Sequence, residues 1–161
     1  MKRKRTSRLK DSTNDALRYA LKLINLRDRT ERELVQKLKA KGFSEGTAKE
    51  TVDKLKELSL LDDRRAAQAL VNYGSRIKGL GSKGLKRFCL ERGVDESIIE
   101  ELLVEEDDEK KAEMLIRKRL QSMEGLDREK KYRRLYGYLY RRGYPAEIIT
   151  KLLRKYLEVE V

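Results

Sequence analysis

Three glycines in the middle of the chain have the spacing of a dinucleotide-binding loop. Gly79, Gly81 and Gly84 lie in the stretch GLGSKG and match G-x-G-x-x-G, whose backbone cradles a pyrophosphate when a buried strand precedes it and a helix follows. No strand pattern precedes these glycines, and the G-K-[ST] ending of a Walker loop is also absent. We therefore interpret the stretch as a turn before a basic helix, with Ser82 as the expected N-cap.

Few other residues could carry catalysis or hold a metal. The chain has no histidine and a single cysteine, Cys89, so the usual general base and the commonest zinc ligands are missing. The acidic run Glu105 to Glu109 offers oxygen ligands for a hard cation, but such runs more often form a solvated linker or start a helix. We expect no catalytic residue, no metal site and no cofactor, a buried Cys89, and a hinge at the acidic run.

The charge balance predicts a polyanionic partner. The formal net charge is +12, and 42% of the residues are charged. Six positive charges lie in the first ten residues, MKRKRTSRLK, and we expect residues 1–13 to form a basic disordered tail. Such a balance suits nucleic acid, an acidic protein surface or anionic lipid, although a tail of this kind is often only a solvated end.

The sequence also predicts where the protein is found. No apolar run reaches the length of about 18 residues that a membrane span needs, and no apolar segment follows the basic N-terminus. One cysteine allows no intrachain disulfide, which fits a reducing compartment. We therefore expect a cytoplasmic protein.

A helix–glycine–helix pattern occurs three times. The glycines are Gly42, Gly93 and Gly143, which lie 51 and 50 residues apart. Apolar residues stand eight and four positions before each glycine and six and ten positions after it, a spacing typical of two helices joined by a turn. Glycine suits that turn because it adopts a left-handed backbone without strain. Candidate N-caps for the helices are Thr30, Ser44, Asp95 and Asp127.

A further helix precedes each pair, which makes each repeat a unit of three helices. The i, i+3, i+4, i+7 pattern of apolar residues begins at Leu17, Ala66 and Ala112, and only its last member in the third repeat, Arg119, is polar. We predict an all-α tandem of three three-helix repeats in an elongated, curved array, with repeats at 14–60, 61–104 and 105–161.

Four stretches in this order resemble the RecX family of bacterial regulators of the RecA recombinase. They are ALRYALKLINLRDRTERELVQKLKAKGF, LKELSLLDDRRAA, RIKGLGSKGLKRFCLERGVDESIIEELL and YGYLYRRGYPAEIITKLL, and the resemblance extends over about residues 14–156. The departures are Ala66 in place of a common aromatic residue, Ser82 in place of a common proline, and Cys89 and Leu90 in place of glutamate and leucine.

The resemblance implies a partner and an activity. Members of that family bind the RecA filament on single-stranded DNA, in its groove or at its end, and mainly inhibit ATP hydrolysis, strand exchange and co-protease action. The resemblance implies neither a cofactor nor catalytic residues. We expect this chain to act in the same way, as a monomer, with DNA as an accessory contact.

Two surfaces are candidates for contact with RecA or DNA. The first is formed by cations that recur along the middle helix of each repeat and by the turn after it: Lys37, Lys39, Lys41, Lys83, Lys86, Arg87, Arg92, Lys131, Arg133, Arg134, Arg141 and Arg142. The second is Tyr138, as an interface anchor or a platform on which a base stacks. Tyr136 and Tyr140 share a face with Leu139, so we expect both to be buried.

Each surface has a simpler interpretation, and the function has two alternatives. Rows of cations occur on any surface that is this highly charged, and Tyr138 could belong to the core. An autonomous DNA-binding helical module is the main alternative function, although Glu96, Glu100 and Glu101 make the second helix of one pair too acidic for a groove reader. An enzyme ranks last, because the sequence offers no catalytic chemistry.

Overall fold

A computed structural model describes residues 12–104 and 106–157 of the protein. Within these ranges the chain is helical and has no strand. The helices are α1 (Thr13–Leu26), α2 (Glu31–Lys41), α3 (Glu45–Glu57), α4 (Asp63–Arg76), α5 (Ser82–Leu90), α6 (Glu96–Leu103), α7 (Asp108–Leu120), α8 (Arg128–Arg141) and α9 (Ala146–Leu157), with a 3-10 turn at Gln121–Met123. The predicted all-α tandem of three-helix repeats is confirmed. The basic tail lies almost entirely outside the described residues.

The predicted turns and caps have a clear backbone basis. Gly42, Gly93 and Gly143 all adopt the left-handed conformation, with φ of 109°, 76° and 80°, as expected at helix C-termini. The residue after each glycine is buried and anchors the turn. Side chains accept a hydrogen bond from the first helical turn at four of the five predicted N-caps: Thr30, Ser44, Asp95 and Asp127.

The described residues form two compact units. The first contains the residues up to Ala67 together with Arg92–Val94, and the second contains Gln68–Glu91 together with the residues from Asp95 onward. The core of the first unit is formed by α1, α2 and α3, with these buried residues: Ala16, Ala20, Leu34, Leu38, Phe43, Ala48, Val52 and Leu55. The Thr30 hydroxyl donates to the Arg92 carbonyl at 2.6 Å, which joins residues 92–94 to this unit.

The second unit contains the core of the third repeat and the buried residues of α5 and α6. Helices α7, α8 and α9 bury one another through these residues: Ala112, Ile116, Met123, Leu135, Leu139, Tyr144, Ile149, Leu152 and Leu153. Cys89 is fully buried on α5, as predicted. In the described part of the chain, no helix combines the length and apolar character needed to cross a bilayer.

The glycine-rich stretch is a turn that packs against a second turn. The Gly81 amide donates to the Arg142 carbonyl at 2.9 Å, and the Lys83 amide donates to the Gly143 carbonyl at 3.1 Å. A β-carbon at Gly84 would collide with the Arg142 carbonyl, and one at Gly143 would collide with the Gly84 backbone. The motif therefore serves close approach between two stretches of backbone, and the prediction of a turn is confirmed.

Tyr144 completes this contact between the turns. Its hydroxyl donates to the Gly79 carbonyl at 3.1 Å, and its side chain is almost fully buried. Burial raises the pKa of the Tyr144 hydroxyl. The phenol therefore stays protonated and remains a donor at physiological pH.

The predicted cap at Ser82 is wrong. Gly81 is the N-cap of α5, and Ser82 is its first helical residue. The Ser82 amide donates to Asp108 Oδ1 at 2.9 Å, and its hydroxyl donates to Asp108 Oδ2 at 2.6 Å. Because glycine has no side chain to offer, a buried carboxylate from the start of α7 supplies the missing acceptor.

The acidic run is held by hydrogen bonds at several points. Asp107 caps α7 by accepting from the Lys110 amide, and Asp108 caps α5. Glu106 forms an ion pair with Lys111 and accepts from the Ser75 hydroxyl at 2.9 Å. These bonds connect residues 106–108 to α4 and α5, and the hinge stays a prediction. The described residues contain no group of side chains that could hold a metal ion.

Candidate polyanion-binding site

Carboxylates neutralise part of the predicted basic row in the first two repeats. Lys39 forms an ion pair with Glu45 at 3.3 Å. Lys86 pairs with Glu96 at 2.5 Å and with Glu100 at 3.2 Å, and these two hydrogen bonds raise the pKa of Lys86. The two lysines are therefore weaker candidates for an anionic partner than the sequence suggested.

The remaining candidates of these two repeats are dispersed. Lys37, Lys83 and Arg87 have exposed side chains. The Lys41 ammonium lies 5.3 Å from the centroid of the Tyr19 ring, and the Arg92 backbone is engaged by Thr30. No cleft described below brings these residues together.

The predicted cations of the third repeat converge on one cleft. Its volume is about 610 Å³, and we call it the arginine cleft. Helix α8 and the turn after it contribute most of the lining, α7 contributes Arg119, and the 3-10 turn contributes Ser122 and Met123. The lining residues are Arg119, Ser122, Met123, Arg133, Arg134, Tyr138, Arg141 and Arg142. Lys131 is partly buried and does not line this cleft.

Tyr138 holds two of these arginines at its ring. The guanidinium carbon of Arg119 lies 4.1 Å from the ring centroid, and that of Arg142 lies 3.8 Å from it. Contacts this short are cation–π interactions, in which the electron-rich face of the ring attracts the cation. A base would have to displace a guanidinium to stack on this ring, so the geometry favours Tyr138 as the residue that positions the arginines.

Carboxylates compensate little of the positive charge of the cleft, since Asp127 interacts with Arg133 electrostatically but forms no ion pair with it. No aspartate or glutamate lines it, and none of its five arginines forms an ion pair with a carboxylate in the described part of the chain. The Arg142 Nε atom is buried and lacks a hydrogen-bond partner among the described residues. A cleft lined by charges of one sign concentrates counter-ions, and planar guanidinium groups match phosphate and carboxylate geometry.

A second cleft adjoins the first and extends the basic surface. Its volume is about 490 Å³, and it shares Arg119, Ser122, Tyr138 and Arg142 with the arginine cleft. Its other lining residues are Arg76, Ile77, Lys78, Gly79, Leu115 and Lys118. We call it the adjoining cleft, and it also lacks a carboxylate.

The sequence patterns missed part of this site. Arg119, Arg76 and Lys118 were not predicted to face a partner. Arg119 had a visible signal, because it is the polar exception in the apolar pattern of α7. The other two lie near helix C-termini, where cations are common for local electrostatic reasons, so nothing in the sequence distinguished them.

The tyrosines around Tyr138 differ from the prediction in one respect. The rings of Tyr132, Tyr136 and Tyr140 stack in series, with centroid separations of 6.1 and 6.0 Å. Tyr136 is partly buried, as its shared face with Leu139 suggested. Tyr140 is 62% exposed, so its predicted burial is wrong; its ring stacks on Tyr136 of the same helix, which leaves most of the ring in contact with solvent.

Three family models match the chain in order. The first three-helix domain of RecX matches residues 16–55, the second matches residues 62–103, and the third matches residues 105–153. Together they account for most of the sequence. The chain belongs to the RecX family. The resemblance stated from the sequence motifs is thereby confirmed, while the predicted repeat boundaries stay predictions.

Relatives in the RecX family share moderate identity with this chain. A protein named "Regulatory protein RecX" from Thermobifida fusca is 36% identical over 107 residues, which are 65% of this chain and 58% of the relative. One from Streptomyces coelicolor is 33% identical over 108 residues, again 65% of this chain and 57% of the relative. The match therefore spans less than two thirds of these relatives. One from Chlorobium limicola is 29% identical over 147 residues, which are 89% of this chain and 91% of that relative.

Solved RecX structures share the fold. The crystal structure of RecX from Lactobacillus salivarius has a TM-score of 0.75 and 23% identity, and the match covers 94% of this chain and 100% of that one. A second RecX structure also has a TM-score of 0.75, with 20% identity over 87% of this chain and 72% of that one. At these identities the likeness concerns the fold alone, and it agrees with the regulatory family to which the chain belongs.

Proposed function

We propose that this chain modulates, and mainly inhibits, the RecA recombinase. The observation that carries the proposal is the ordered match of all three RecX domains, together with relatives whose name is "Regulatory protein RecX". In this proposal the protein binds the RecA filament on single-stranded DNA, in its groove or at its end. It lowers ATP hydrolysis, strand exchange and co-protease activity, and thereby acts in DNA repair, homologous recombination and the SOS response.

The surface chemistry supports this type of partner. A filament on DNA is a periodic polyanion, and a tandem of similar repeats presents similar side chains at intervals along it. The exposed cations of α2 and α5 and the arginines of α8 are the candidate contacts, and they would steer association and set its register. We propose that the protein acts as a cytoplasmic monomer without a cofactor or catalytic residue.

The test is the rate of ATP hydrolysis by the cognate RecA on single-stranded DNA while this protein is titrated in. We expect the rate to fall as the protein is added. A fall at far less than one molecule per RecA supports action at filament ends, and a fall only near equal stoichiometry supports coating of the groove. An unchanged rate in the presence of bound protein contradicts the proposal.

An autonomous DNA-binding module is the second candidate function, and the uncompensated arginine cleft favours it. Its test is DNA binding in the absence of RecA at several salt concentrations. The logarithm of affinity should fall with the logarithm of salt by about 0.9 for each phosphate contacted on duplex DNA and about 0.7 on a single strand. Tight, salt-dependent binding together with an unchanged RecA ATPase rate favours the module over the modulator.

A further inference from the structure

The two clefts adjoin each other. They share Arg119, Ser122, Tyr138 and Arg142, so these side chains lie at the boundary between them. Arg133 lines only the arginine cleft and Arg76 lines only the adjoining cleft. We call the two neighbouring clefts together the channel. Cations line both of them, and a chain-like ligand fits this arrangement better than one compact ion.

The channel combines positive charge with apolar surface. Five arginines line the arginine cleft, and the adjoining cleft adds one further arginine and two lysines. Between these cations lie Leu115 and Ile77, and the Ile77 side chain is 72% exposed. Phosphates alone would use only the cations, so the apolar surface favours a ligand that also has apolar faces.

Single-stranded nucleic acid has both properties. Its phosphates pair with guanidinium groups, and its unpaired bases offer flat faces that pack on apolar and aromatic side chains. In a duplex those faces are stacked and hidden. An acidic peptide offers carboxylates to the cations, but its charged side chains have no comparable apolar face.

Three of the arginines that line the arginine cleft are accessible to solvent. Arg133, Arg134 and Arg141 are exposed and form no ion pair with a carboxylate in the described ranges. Ion-paired lysines, such as Lys86, must lose their carboxylates before they bind a phosphate. The three arginines need no such exchange, which makes them the most accessible phosphate contacts on the third repeat.

We propose that the channel formed by the arginine cleft and the adjoining cleft binds a short segment of single-stranded nucleic acid. The phosphates lie against Arg133, Arg134 and Arg141, and a base packs near Ile77 and Leu115. Tyr138 positions Arg119 and Arg142 between the two ends. This inference rests on the proposed function, because it locates the nucleic-acid contact that the function invokes.

The test uses the full chain and a fluorescein-labelled oligothymidine, with binding followed by fluorescence anisotropy at low and at physiological salt and without RecA. The cleft variant carries Arg133→Gln, Arg134→Gln and Arg141→Gln. The matched control carries Lys56→Gln, Lys130→Gln and Lys151→Gln, which remove three exposed cations already paired with carboxylates. Both variants lower the net charge by the same amount, and circular dichroism checks that both fold.

We expect the cleft variant to lose affinity by about tenfold or more at low salt, and its salt slope to decrease by about 2, since each lost single-strand phosphate contact contributes about 0.7. The control should stay within about twofold of the wild type. Arg119→Gln should also weaken binding, which tests the site independently of the exposed arginines. Equal losses in the cleft variant and the control would show an effect of net charge alone and would overturn the proposal.

Two further measurements separate the alternatives. An oligoglutamate peptide of matched charge should displace the oligothymidine only weakly, and displacement at equal concentration would identify an acidic-peptide site instead. The RecA ATPase titration is repeated with the cleft variant. Lost DNA affinity with retained inhibition supports this inference and leaves the modulator function standing, whereas retained DNA affinity overturns this inference whatever the ATPase result.

Discussion

The second and third repeats use one scaffold position in different ways. Five residues before the turn glycine, the second repeat has Phe88 and the third has Tyr138. Phe88 is 8% exposed, and its ring centroid lies 6.3 Å from that of Tyr73. Tyr138 is only partly buried, and its ring contacts the guanidinium groups of Arg119 and Arg142.

The difference is explained by the partner on the preceding helix. Tyr73 and Arg119 occupy the same final position in the i, i+3, i+4, i+7 patterns of α4 and α7. An aromatic partner forms an aromatic pair with Phe88, and the Lys78 ammonium lies 5.5 Å from the Phe88 centroid. At Tyr138 an arginine takes the place of that partner, and two guanidinium groups lie closer to the ring, at 4.1 and 3.8 Å. A change at one position of a shared scaffold therefore separates a packing contact from a candidate binding site.

The two repeats also differ in how their middle helices are capped. The third repeat caps α8 within its own sequence, through Asp127 and the Lys130 amide. The second repeat begins α5 after a glycine and takes its cap from Asp108 at the start of α7. The glycine and the distant carboxylate occur together, because the turn has to approach Arg142 and Gly143 closely.

Gly84→Ala should cause the largest loss of stability among the variants that test this comparison. The added β-carbon would collide with the Arg142 carbonyl, and we expect the free energy of unfolding to fall by about 3 kcal/mol, the upper range for overpacking a rigid contact. Urea denaturation followed by circular dichroism measures it. The control is Gly46→Ala, where a β-carbon meets nothing within 4 Å, and it should be neutral or slightly stabilising. Equal behaviour of both variants would contradict the close approach of the two turns.

A smaller loss of stability is expected when the Asp108 carboxylate, which caps α5 from the start of α7, is removed. Asp108→Ala removes an almost fully buried carboxylate that accepts hydrogen bonds from the Ser82 amide and hydroxyl and pairs with Lys111. We expect a loss of about 2 kcal/mol in the free energy of unfolding. The control, Asp95→Ala, removes the exposed local cap of α6 and should cost about 1 kcal/mol. Thermal and urea unfolding of both variants checks the order. A greater loss from Asp95→Ala would refute the role given to Asp108.

The smallest effect on stability is expected at the equivalent aromatic positions. Tyr138→Leu removes two cation–π contacts, and Phe88→Leu removes an aromatic pair and a contact with Lys78, so each should lower the free energy of unfolding by about 1 kcal/mol. The variants should differ in binding. Tyr138→Leu should weaken oligothymidine binding several-fold, because Arg119 and Arg142 lose their support, whereas Phe88→Leu should weaken it less, since the Phe88 ring contacts Lys78 at the longer distance of 5.5 Å. Equal binding by both would remove the functional distinction between the repeats.

Much of the fold could be predicted because its signals are local. The turn glycines, the caps at Thr30 and Asp127, and the apolar spacing around them depend on residues within a few positions of one another. The arginines of α8 were also among the candidates, because their charge is visible in the sequence. Among the N-caps, only the prediction at Ser82 was wrong, because the acceptor there is Asp108, 26 residues further along the chain.

The sequence by itself determined the helices, the turns, the repeat and the family of this protein, because apolar periodicity and glycine backbone freedom act over short distances along the chain. Only the tertiary structure decided which cations are free to bind. Lys86 is neutralised because α6 brings Glu96 and Glu100 to it, and Arg119 joins Arg142 because α7 and α8 pack around Tyr138. Pairing of charges depends on distances in space between separate helices, and the order of residues does not contain those distances.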